Sequence, residues 1–275
     1  MSGPVTPYAR YATTSAGMTA VFGVYGMTAI AALTAQNTQG VTAVHVVPPD
    51  FVRAQIDAVV SDIGCDAVKT GMLATAAIVA TVASAVRAHR LRNLVVDPVM
   101  LAHGGAALLD DAGRAALLAE LLPLASLVTP NIPEAEVLTA MRIDSVLAMH
   151  EAARALLKTG VRACLIKGGH LQGPQAIDVF YEGNTGLELN RPRLDTIHTH
   201  GTGCQLSAAI AANLALGLDL RSAVERAKLF ITTAIEHGLA IGHGTGPANP
   251  MAWTQRSGGH LATASGRRRP RDGGQ

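Results

Sequence analysis

The order of apolar and polar positions along the chain predicts strands that alternate with helices. Apolar residues recur at helical spacing over 49–63, and 75–90 has a similar helical character. The short apolar runs at 67–70 and 94–96 are typical of buried parallel strands. The same cycle predicts helices near 111–121, 133–140, 145–159, 203–217 and 220–239, and strands near 126–129 and 163–166.

Two further strands, near 177–182 and 187–195, are predicted to pair as a hairpin because Gly183-Asn184 supplies a turn. Strands separated by helices predict an α/β fold with a central, mostly parallel sheet and helices on both faces. No linker divides the chain. We expect one domain over 1–250, with an atypical segment at 1–22, and a disordered tail over 251–275.

One amino-terminal stretch allows a different interpretation. No Asp, Glu, Lys or Arg lies between Arg10 and Asp50, and 17–35 is mostly apolar, as in a signal peptide or a membrane helix. Threonines and Gly26 interrupt this stretch. We therefore favour a buried helix followed by a buried strand.

Composition narrows the class of protein. Hydrophobic residues make up 49% of the 275 residues, enough for a large core, and the net charge of +2 gives no reason to expect a nucleic-acid partner. The arginine-rich run 267–271 is expected to belong to the tail. The three cysteines are far apart, which predicts no disulfide framework and fits a reducing cytoplasm.

The segment 200–204, His-Gly-Thr-Gly-Cys, is the strongest candidate for chemistry. Its glycines let backbone N–H groups converge at the start of a helix, which suits a developing negative phosphoryl group. A cysteine at a helix start is expected to favour the thiolate, so Cys204 is a candidate base toward a substrate hydroxyl. The alternative is a glycine-rich turn before a core helix with a buried cysteine.

This segment, followed by Ser207-Ala208-Ala209, resembles the anion-hole sequence of hydroxymethylpyrimidine/phosphomethylpyrimidine kinases, the thiamine-pathway branch of the ribokinase-like family. Gln205 replaces the usual threonine. Further segments resemble the family in order from about residue 23 to 250. The resemblance implies a ribokinase-like α/β fold, the cofactors ATP and Mg²⁺, and a catalytic group made of Gly201, Thr202, Gly203, Cys204 and Lys167.

Other roles are implied by the same resemblance. Asn131 and Glu134 would hold Mg²⁺, and Lys167 and Asp97 would lie along the phosphate path. Each has an alternative when taken alone, because Asn131 and Glu134 suit a helix cap, and a lysine at a strand end is often exposed. The implied pyrimidine pocket consists of Gln36, Met72 and Val99. The implied nucleotide side consists of Asn131, Asp97, Lys167, Ala227 and Lys228.

The chain departs from the family in two places. The family begins with a strand and a glycine-rich loop with an Asp, whereas residues 3–17 contain no such strand, Asp or glycine cluster. The resemblance also implies that some residues at the very start are lost. The second departure follows Met100. The family usually has a Lys or Ser, together with a Ser or Thr, before a Gly, whereas this chain has His103-Gly104-Gly105. We hypothesise that the ATP half of the site is kept and the pyrimidine half is damaged.

The predicted function is phosphorylation of hydroxymethylpyrimidine, its phosphate, or both. Pyridoxal kinase is a close alternative because pyridoxal is a similar flat heteroaromatic alcohol. A catalytically silent nucleotide- or pyrimidine-binding relative is the second alternative, supported by the missing loop. The resemblance implies a homodimer, with no nucleic-acid or membrane partner.

Overall fold

The structure of the protein, a computed structural model, describes residues 14–101 and 107–256. The helices are α1 (Thr14–Val21), α2 (Pro49–Asp62), α3 (Ala76–Ala88), α4 (Asp111–Ala116), α5 (Ile132–Thr139), α6 (Val146–Leu157), α7 (Thr202–Ala215), α8 (Leu220–Glu236) and α9 (Ala252–Arg256). The strands are β1 (Ala32–Asn37), β2 (Gly40–Val46), β3 (Val68–Thr70), β4 (Leu94–Val96), β5 (Leu127–Val128), β6 (Ala163–Ile166), β7 (Gln175–Glu182) and β8 (Thr185–Pro192).

Six strands form one sheet in the order β3-β4-β5-β6-β7-β8. The first four strands run parallel, β7 is antiparallel to β6, and β8 is antiparallel to β7. β1 and β2 pair with each other in a separate antiparallel hairpin. The prediction of a mostly parallel central sheet is confirmed, and so is the predicted β7–β8 hairpin.

The two faces of the sheet pack against different helices. Val95 and Leu127 point into a core that they share with buried side chains of α7 and α8. Their neighbours Val96 and Val128 point into a second core, which contains side chains of α3 and α6. Period-2 alternation along strands buried on both faces produces this arrangement. Helices therefore cover both faces, as predicted.

Side-chain caps set the starts of several helices. Thr75 precedes α3 and accepts the N–H of Ile78, while Ser145 and Asp219 cap α6 and α8 in the same way. Each cap satisfies a first-turn donor and is worth about 1 kcal/mol. These helices consequently begin within one residue of their predicted starts.

The helix predicted over 111–121 has a different form. α4 ends at Ala116, and the chain continues as a π-helical turn over Leu117–Leu121 and a 3-10 turn over Leu122–Leu124. Pro123 has no N–H to continue the α-helical hydrogen bonding, which explains why regular helix stops before it.

The amino-terminal prediction is correct for the helix and wrong for the strand. α1 contributes Met18 to the core it shares with α7, as expected for a buried helix. β1 begins only at Ala32, and alternate residues along it are exposed because it pairs with β2 and not with the main sheet. Within 14–101 and 107–256, no helix is both long enough and apolar enough to cross a membrane.

The segment 251–275, predicted to be a disordered tail, contains a helix in its described part. α9 lies within it, and the Trp253 ring centroid is 6.0 Å from that of Phe22 and 5.9 Å from that of Phe230. The prediction of disorder from 251 is therefore wrong for 251–256. The rest of the tail, including its arginine-rich run, lies outside the described residues, as do 1–13 and the His103–Gly105 segment.

β3 ends the sheet in the described part of the chain, since no described strand pairs with its outer edge. The N–H of Val68 donates toward Asn93, and the C=O of Thr70 accepts from Asp97, so both groups point toward β4. The N–H and C=O of Lys69 must then point away from β4. The outer edge of β3 therefore offers unpaired backbone groups among the described residues.

A buried ion pair joins α8 to β7. Lys228 Nζ lies 2.7 Å from Asp178 Oδ2, and the two side chains are only 8% and 6% exposed. Asp178 Oδ1 also accepts the N–H of Gly168, in the turn that follows β6, at 3.0 Å. The pair therefore ties α8 and β7 to the turn next to Lys167.

We expect Lys228→Met to lower the free energy of unfolding by about 3–5 kcal/mol, because it leaves the Asp178 charge buried and unpaired. Adding Asp178→Asn should recover most of the loss, since Asn removes the charge and keeps an acceptor for Gly168. Guanidinium chloride unfolding measures both effects.

Arg221→Met is the matched control because Arg221 lies on the same helix in an exposed pair with Glu225. It should change the free energy of unfolding by less than about 1 kcal/mol. Equal losses for the Lys228 and Arg221 variants would contradict the assignment of stability to the buried pair.

Candidate active site

The carboxyl ends of the parallel strands bring the candidate residues to one edge of the sheet. Asp97 directly follows β4, and Lys167 directly follows β6. Asn131 caps α5 just after β5 and forms an isolated parallel bridge with Lys167. Parallel strands end on the same edge, which explains why residues far apart in the sequence meet here.

Asp97 is the centre of this cluster and is only 2% exposed. Its Oδ1 accepts from Lys167 Nζ at 3.0 Å and from Thr129 Oγ1 at 3.2 Å. Its Oδ2 accepts from Ser207 Oγ, on α7, at 3.2 Å. Lys69 Nζ lies 3.7 Å from the same Oδ2 atom. One buried carboxylate thus connects the ends of several elements.

The charges of Asp97 and Lys167 stabilise each other. Burial by itself raises the pKa of Asp97, but Lys167 and Lys69 more than offset this, so its pKa lies below the usual value. Burial lowers the pKa of Lys167, whereas Asp97 and Glu134 raise it, with a net result of about 12. The carboxylate and the ammonium are therefore both ionised at neutral pH.

Asn131 and Glu134 form a capping box at the start of α5. Asn131 Oδ1 accepts the N–H of Glu134 at 2.9 Å, and Glu134 Oε2 accepts the N–H of Asn131 at 2.8 Å. Lys167 Nζ lies 3.9 Å from that Oε2 atom. The cap that the sequence offered as an alternative is present, and it also holds the Glu134 carboxylate beside Lys167.

Burial raises the pKa of Glu134 to about 7, although Lys167 opposes the shift. The two oxygen-bearing side chains suit a divalent cation, because such ions prefer oxygen ligands. The nearby Lys167 ammonium suits the phosphate groups that would accompany the cation. A bound cation would favour the ionised form of Glu134. The donor set therefore fits the predicted Mg²⁺ role.

The amino terminus of α7 faces the same cluster. Gly201 is its N-cap and has φ 78°, a left-handed conformation that favours glycine, and it provides no capping side chain for the first-turn amides. A Cβ on Gly203 would lie 3.0 Å from Lys167 Nζ, so the absence of a side chain there gives the ammonium its place. Gly201, Thr202, Gly203 and Lys167 therefore lie around one helix start, as predicted.

Cys204, in the first turn of α7, is placed as expected but not ionised as expected. Burial raises the pKa of its thiol, and this outweighs the lowering by Lys69 and Lys167. Asp97 accepts a hydrogen bond from the thiol and raises the pKa further. The expectation of a thiolate is therefore wrong, because the residue is a neutral thiol that donates to Asp97.

The predicted pyrimidine-side residues lie on two separate parts of the fold. Met72 and Val99, both half-buried, follow the neighbouring strands β3 and β4. Gln36 lies on β1, beside a register shift in the hairpin, and its Oε1 accepts a weak hydrogen bond from Thr34 at 3.4 Å. Among the described residues, no hydrogen bond joins Gln36 to Met72 or Val99. A pocket shared by the three residues therefore stays a prediction.

The hairpin tip is anchored to the glycine-rich segment near the carboxyl end. Thr38 accepts the N–H of Gly244 through Oγ1 at 3.2 Å and the N–H of Thr245 through its carbonyl at 3.0 Å. A Cβ on Gly242 or Gly244 would collide with Thr38. His200 pairs with this same segment at Pro247. These contacts thus connect the Gln36 hairpin to the turn that precedes α7.

The two α8 residues predicted beside the nucleotide are both buried. Ala227 is completely buried, in the core shared with α7. The Lys228 amine is engaged by Asp178 and by the Ala176 carbonyl. Their contact with a nucleotide stays a prediction.

Sequence reasoning placed Lys69, Thr129, Ser207 and Thr38 inside family-like segments but gave them no role of their own, and it missed Asp178. The scarcity of lysine in the sequence points to the contacts of Lys69 with Asp97 and of Asp178 with Lys228. The chain has only four lysines among its 22 basic residues, and three of them, Lys69, Lys167 and Lys228, are largely buried. Buried lysines require carboxylate partners, so scarce lysines in apolar surroundings were a reason to search for Asp97 and Asp178.

Comparison with known proteins agrees with this geometry. A family model described as phosphomethylpyrimidine kinase matches residues 17–249. A Hydroxymethylpyrimidine/phosphomethylpyrimidine kinase of Rhizobium meliloti is 48% identical over 78% of this chain and 81% of its own length. The Thiamine biosynthesis bifunctional protein ThiED of Geobacter sulfurreducens is 49% identical over 78% of this chain, which spans only 44% of that longer protein.

The fold of this chain is also similar to that of a solved structure. The ADP complex of Bacillus subtilis pyridoxal kinase matches with a TM-score of 0.81 and 36% identity, covering 86% of this chain and 91% of that one. The ribokinase-like fold predicted from the sequence is confirmed. The extent of the family match and the identity to full-length kinases lead to one conclusion. The chain belongs to the phosphomethylpyrimidine kinase family, whose members are phosphotransferases.

Proposed function

We propose that the protein transfers the γ-phosphoryl group of ATP to hydroxymethylpyrimidine, to its phosphate, or to both, as a step of thiamine biosynthesis. Use of ATP is expected of a kinase of this family, and a structural neighbour of this chain holds ADP. The observation that carries the proposal is the arrangement around Asp97, where a charged lysine and an uncapped helix start meet at one sheet edge.

Phosphoryl transfer depends mainly on positioning and on stabilising negative charge. We assign charge stabilisation to Lys167 and to the first amides of α7, with Gly201 and Gly203 keeping the approach open and Thr202 in the same turn. Helix amides and an ammonium in a buried site are strong stabilisers because little water competes with them. Asp97 holds Lys167 in place.

We assign Mg²⁺ binding to Asn131 and Glu134. When bound there, the ion would supply positive charge to the phosphate groups of the nucleotide. The capping box fixes both side chains at the start of α5, and Glu134 Oε2 lies 3.9 Å from Lys167 Nζ.

Cys204 remains our candidate base. Its thiol is neutral and donates to Asp97, so accepting the hydroxyl proton requires its own proton to move to Asp97. In a largely dissociative transition state, this proton needs to move only late in the transfer. We assign Gln36, Met72 and Val99 to the pyrimidine. The lack of the first family strand in this sequence would weaken binding on this side.

An ADP-release assay tests the reaction. With MgATP we expect turnover on hydroxymethylpyrimidine or its phosphate, slower pyridoxal turnover, and a loss of about 10²–10⁴-fold in Cys204→Ala, as expected for removal of a general base.

The alternatives give different results in this assay. Fastest turnover on pyridoxal would favour the pyridoxal kinase alternative. No turnover from a folded protein that still binds ATP would favour the silent binding relative. Turnover as fast as that of a relative with the complete glycine-rich loop would refute the hypothesis of a damaged pyrimidine half.

The metal assignment has its own test. Glu134→Gln should raise the Mg²⁺ concentration needed for half-maximal ADP release by about tenfold or more, because a carboxylate ligand becomes a neutral amide. Glu136→Gln, two residues along α5, is the matched control and should leave the Mg²⁺ requirement unchanged. Identical Mg²⁺ curves for wild type and Glu134→Gln would contradict the assignment.

We also propose a homodimer, formed through the β1–β2 hairpin. Val44 and Val46 are 43% and 39% exposed on one face, and Leu33 is 45% exposed on the other. Apolar residues exposed on both faces of a small hairpin favour cover by a partner.

Light scattering after size exclusion should give twice the chain mass of 28.4 kDa. Val44→Lys with Val46→Lys should shift the mass to one chain, because two charges cannot be buried without partners. Val137→Lys, on α5 and 44% exposed, is the control and should remain dimeric. A wild-type monomer would contradict the proposal.

A further inference from the structure

Lys69 is a buried lysine with no assigned task. Its side chain is 8% exposed, and it lies on β3 in register with Val95, whose side chain faces α7. Paired residues of neighbouring strands share a face of the sheet. Lys69 therefore points to the same side as the amino terminus of α7, and it acts electrostatically on Cys204.

The Lys69 ammonium is held near the site without being saturated. It lies 3.7 Å from Asp97 Oδ2, too far for a hydrogen bond, and it donates none to the residues that the structure describes. Lys167, in contrast, donates to Asp97 Oδ1 at 3.0 Å. An ammonium has three donors, so those that no described residue accepts are available to an anionic ligand.

Gly71 provides the space for this ammonium. A Cβ at position 71 would lie 2.8 Å from Lys69 Nζ, and the φ of Gly71 does not require glycine. Gly203 stands in the same relation to Lys167 Nζ, at 3.0 Å. Each of the two ammonium groups thus occupies a place that a glycine leaves open.

The two cations lie on different sides of Asp97. Lys167 contacts Oδ1 and is near Glu134, on the side assigned to nucleotide and metal. Lys69 is near Oδ2 and lies three residues before Met72, on the side assigned to the pyrimidine. The site therefore has one cation toward the phosphoryl donor and one toward the acceptor.

An acceptor-side cation matters differently for the two acceptors of the proposed reaction. Hydroxymethylpyrimidine is a neutral alcohol, whereas its phosphate is an anion that must approach the anionic nucleotide. Like charges at close range in a poorly hydrated site repel strongly. A buried ammonium with free donors beside the acceptor offsets this repulsion and forms charge-assisted hydrogen bonds.

We propose, building on the proposed function, that Lys69 binds the phosphate group of a phosphomonoester acceptor and so selects for the second phosphorylation over the first. Neutralising Asp97 alone does not explain Lys69. Asp97 already has Lys167, Thr129 and Ser207 as hydrogen-bond partners.

Calorimetric binding of hydroxymethylpyrimidine and of its phosphate, without nucleotide, tests the proposal. For Lys69→Met we expect about 10- to 100-fold weaker binding of the phosphate, as for loss of a hydrogen bond to a charged group, and less than about threefold change for the alcohol. Lys69→Arg should restore part of the selectivity. Lys158→Met removes the exposed lysine of α6 and should change neither affinity.

Gly71→Ala keeps the lysine and displaces its ammonium. It should weaken binding of the phosphate more than of the alcohol, and it serves if Lys69→Met does not fold. With MgATP, the same variants should lose more kcat/KM on the phosphate than on the alcohol.

The outcomes separate this inference from the proposed function. Wild type that binds neither pyrimidine compound would overturn the proposed function and the inference together. Wild type that binds both, with equal losses or no loss in Lys69→Met and Gly71→Ala, would overturn the role of Lys69 alone.

Discussion

The buried carboxylate of Asp97 is the constraint on which the site depends. A charge that is 2% exposed needs compensation, and here Lys167 supplies most of it, with Thr129, Ser207 and Lys69 around the two oxygens. These partners come from β6, β5, α7 and β3, so satisfying one anion fixes four elements relative to one another. The same contacts keep the Lys167 ammonium charged beside the start of α7, where we propose that it stabilises the transferred phosphoryl group.

The two halves of the site are supported unequally. The residues proposed for the nucleotide lie on central strands, on the capping box of α5 and near the Asp178–Lys228 pair behind Gly168. The residues proposed for the acceptor lie near β3, whose outer edge carries no described strand, and on a hairpin held at its tip by Thr38. This asymmetry is consistent with the hypothesis that the absent family strand weakens binding of the pyrimidine more than binding of ATP.

Local patterns predicted most of the fold and the strand ends at which Asp97, Asn131 and Lys167 meet. Helical spacing and caps such as Thr75 act over a few residues, and strand ends follow from the apolar runs before Asp97 and Lys167. Other features depend on contacts between distant residues. β2 has exposed apolar positions that resemble no buried strand, Asp178 becomes important only when α8 packs on β7, and the neutral Cys204 thiol results from burial that the sequence does not display.

Phosphorus NMR of the protein with MgATP and, in separate samples, hydroxymethylpyrimidine and its phosphate tests the central claim most directly, because it shows where the phosphoryl group goes. With at least one acceptor, we expect a new phosphomonoester or diphosphate resonance of the pyrimidine that grows in step with ADP and is absent in Lys167→Met. With both acceptors, ADP that appears only with inorganic phosphate, or no change in ATP from a folded protein, would contradict the claim that the Asp97 cluster directs phosphoryl transfer to the pyrimidine.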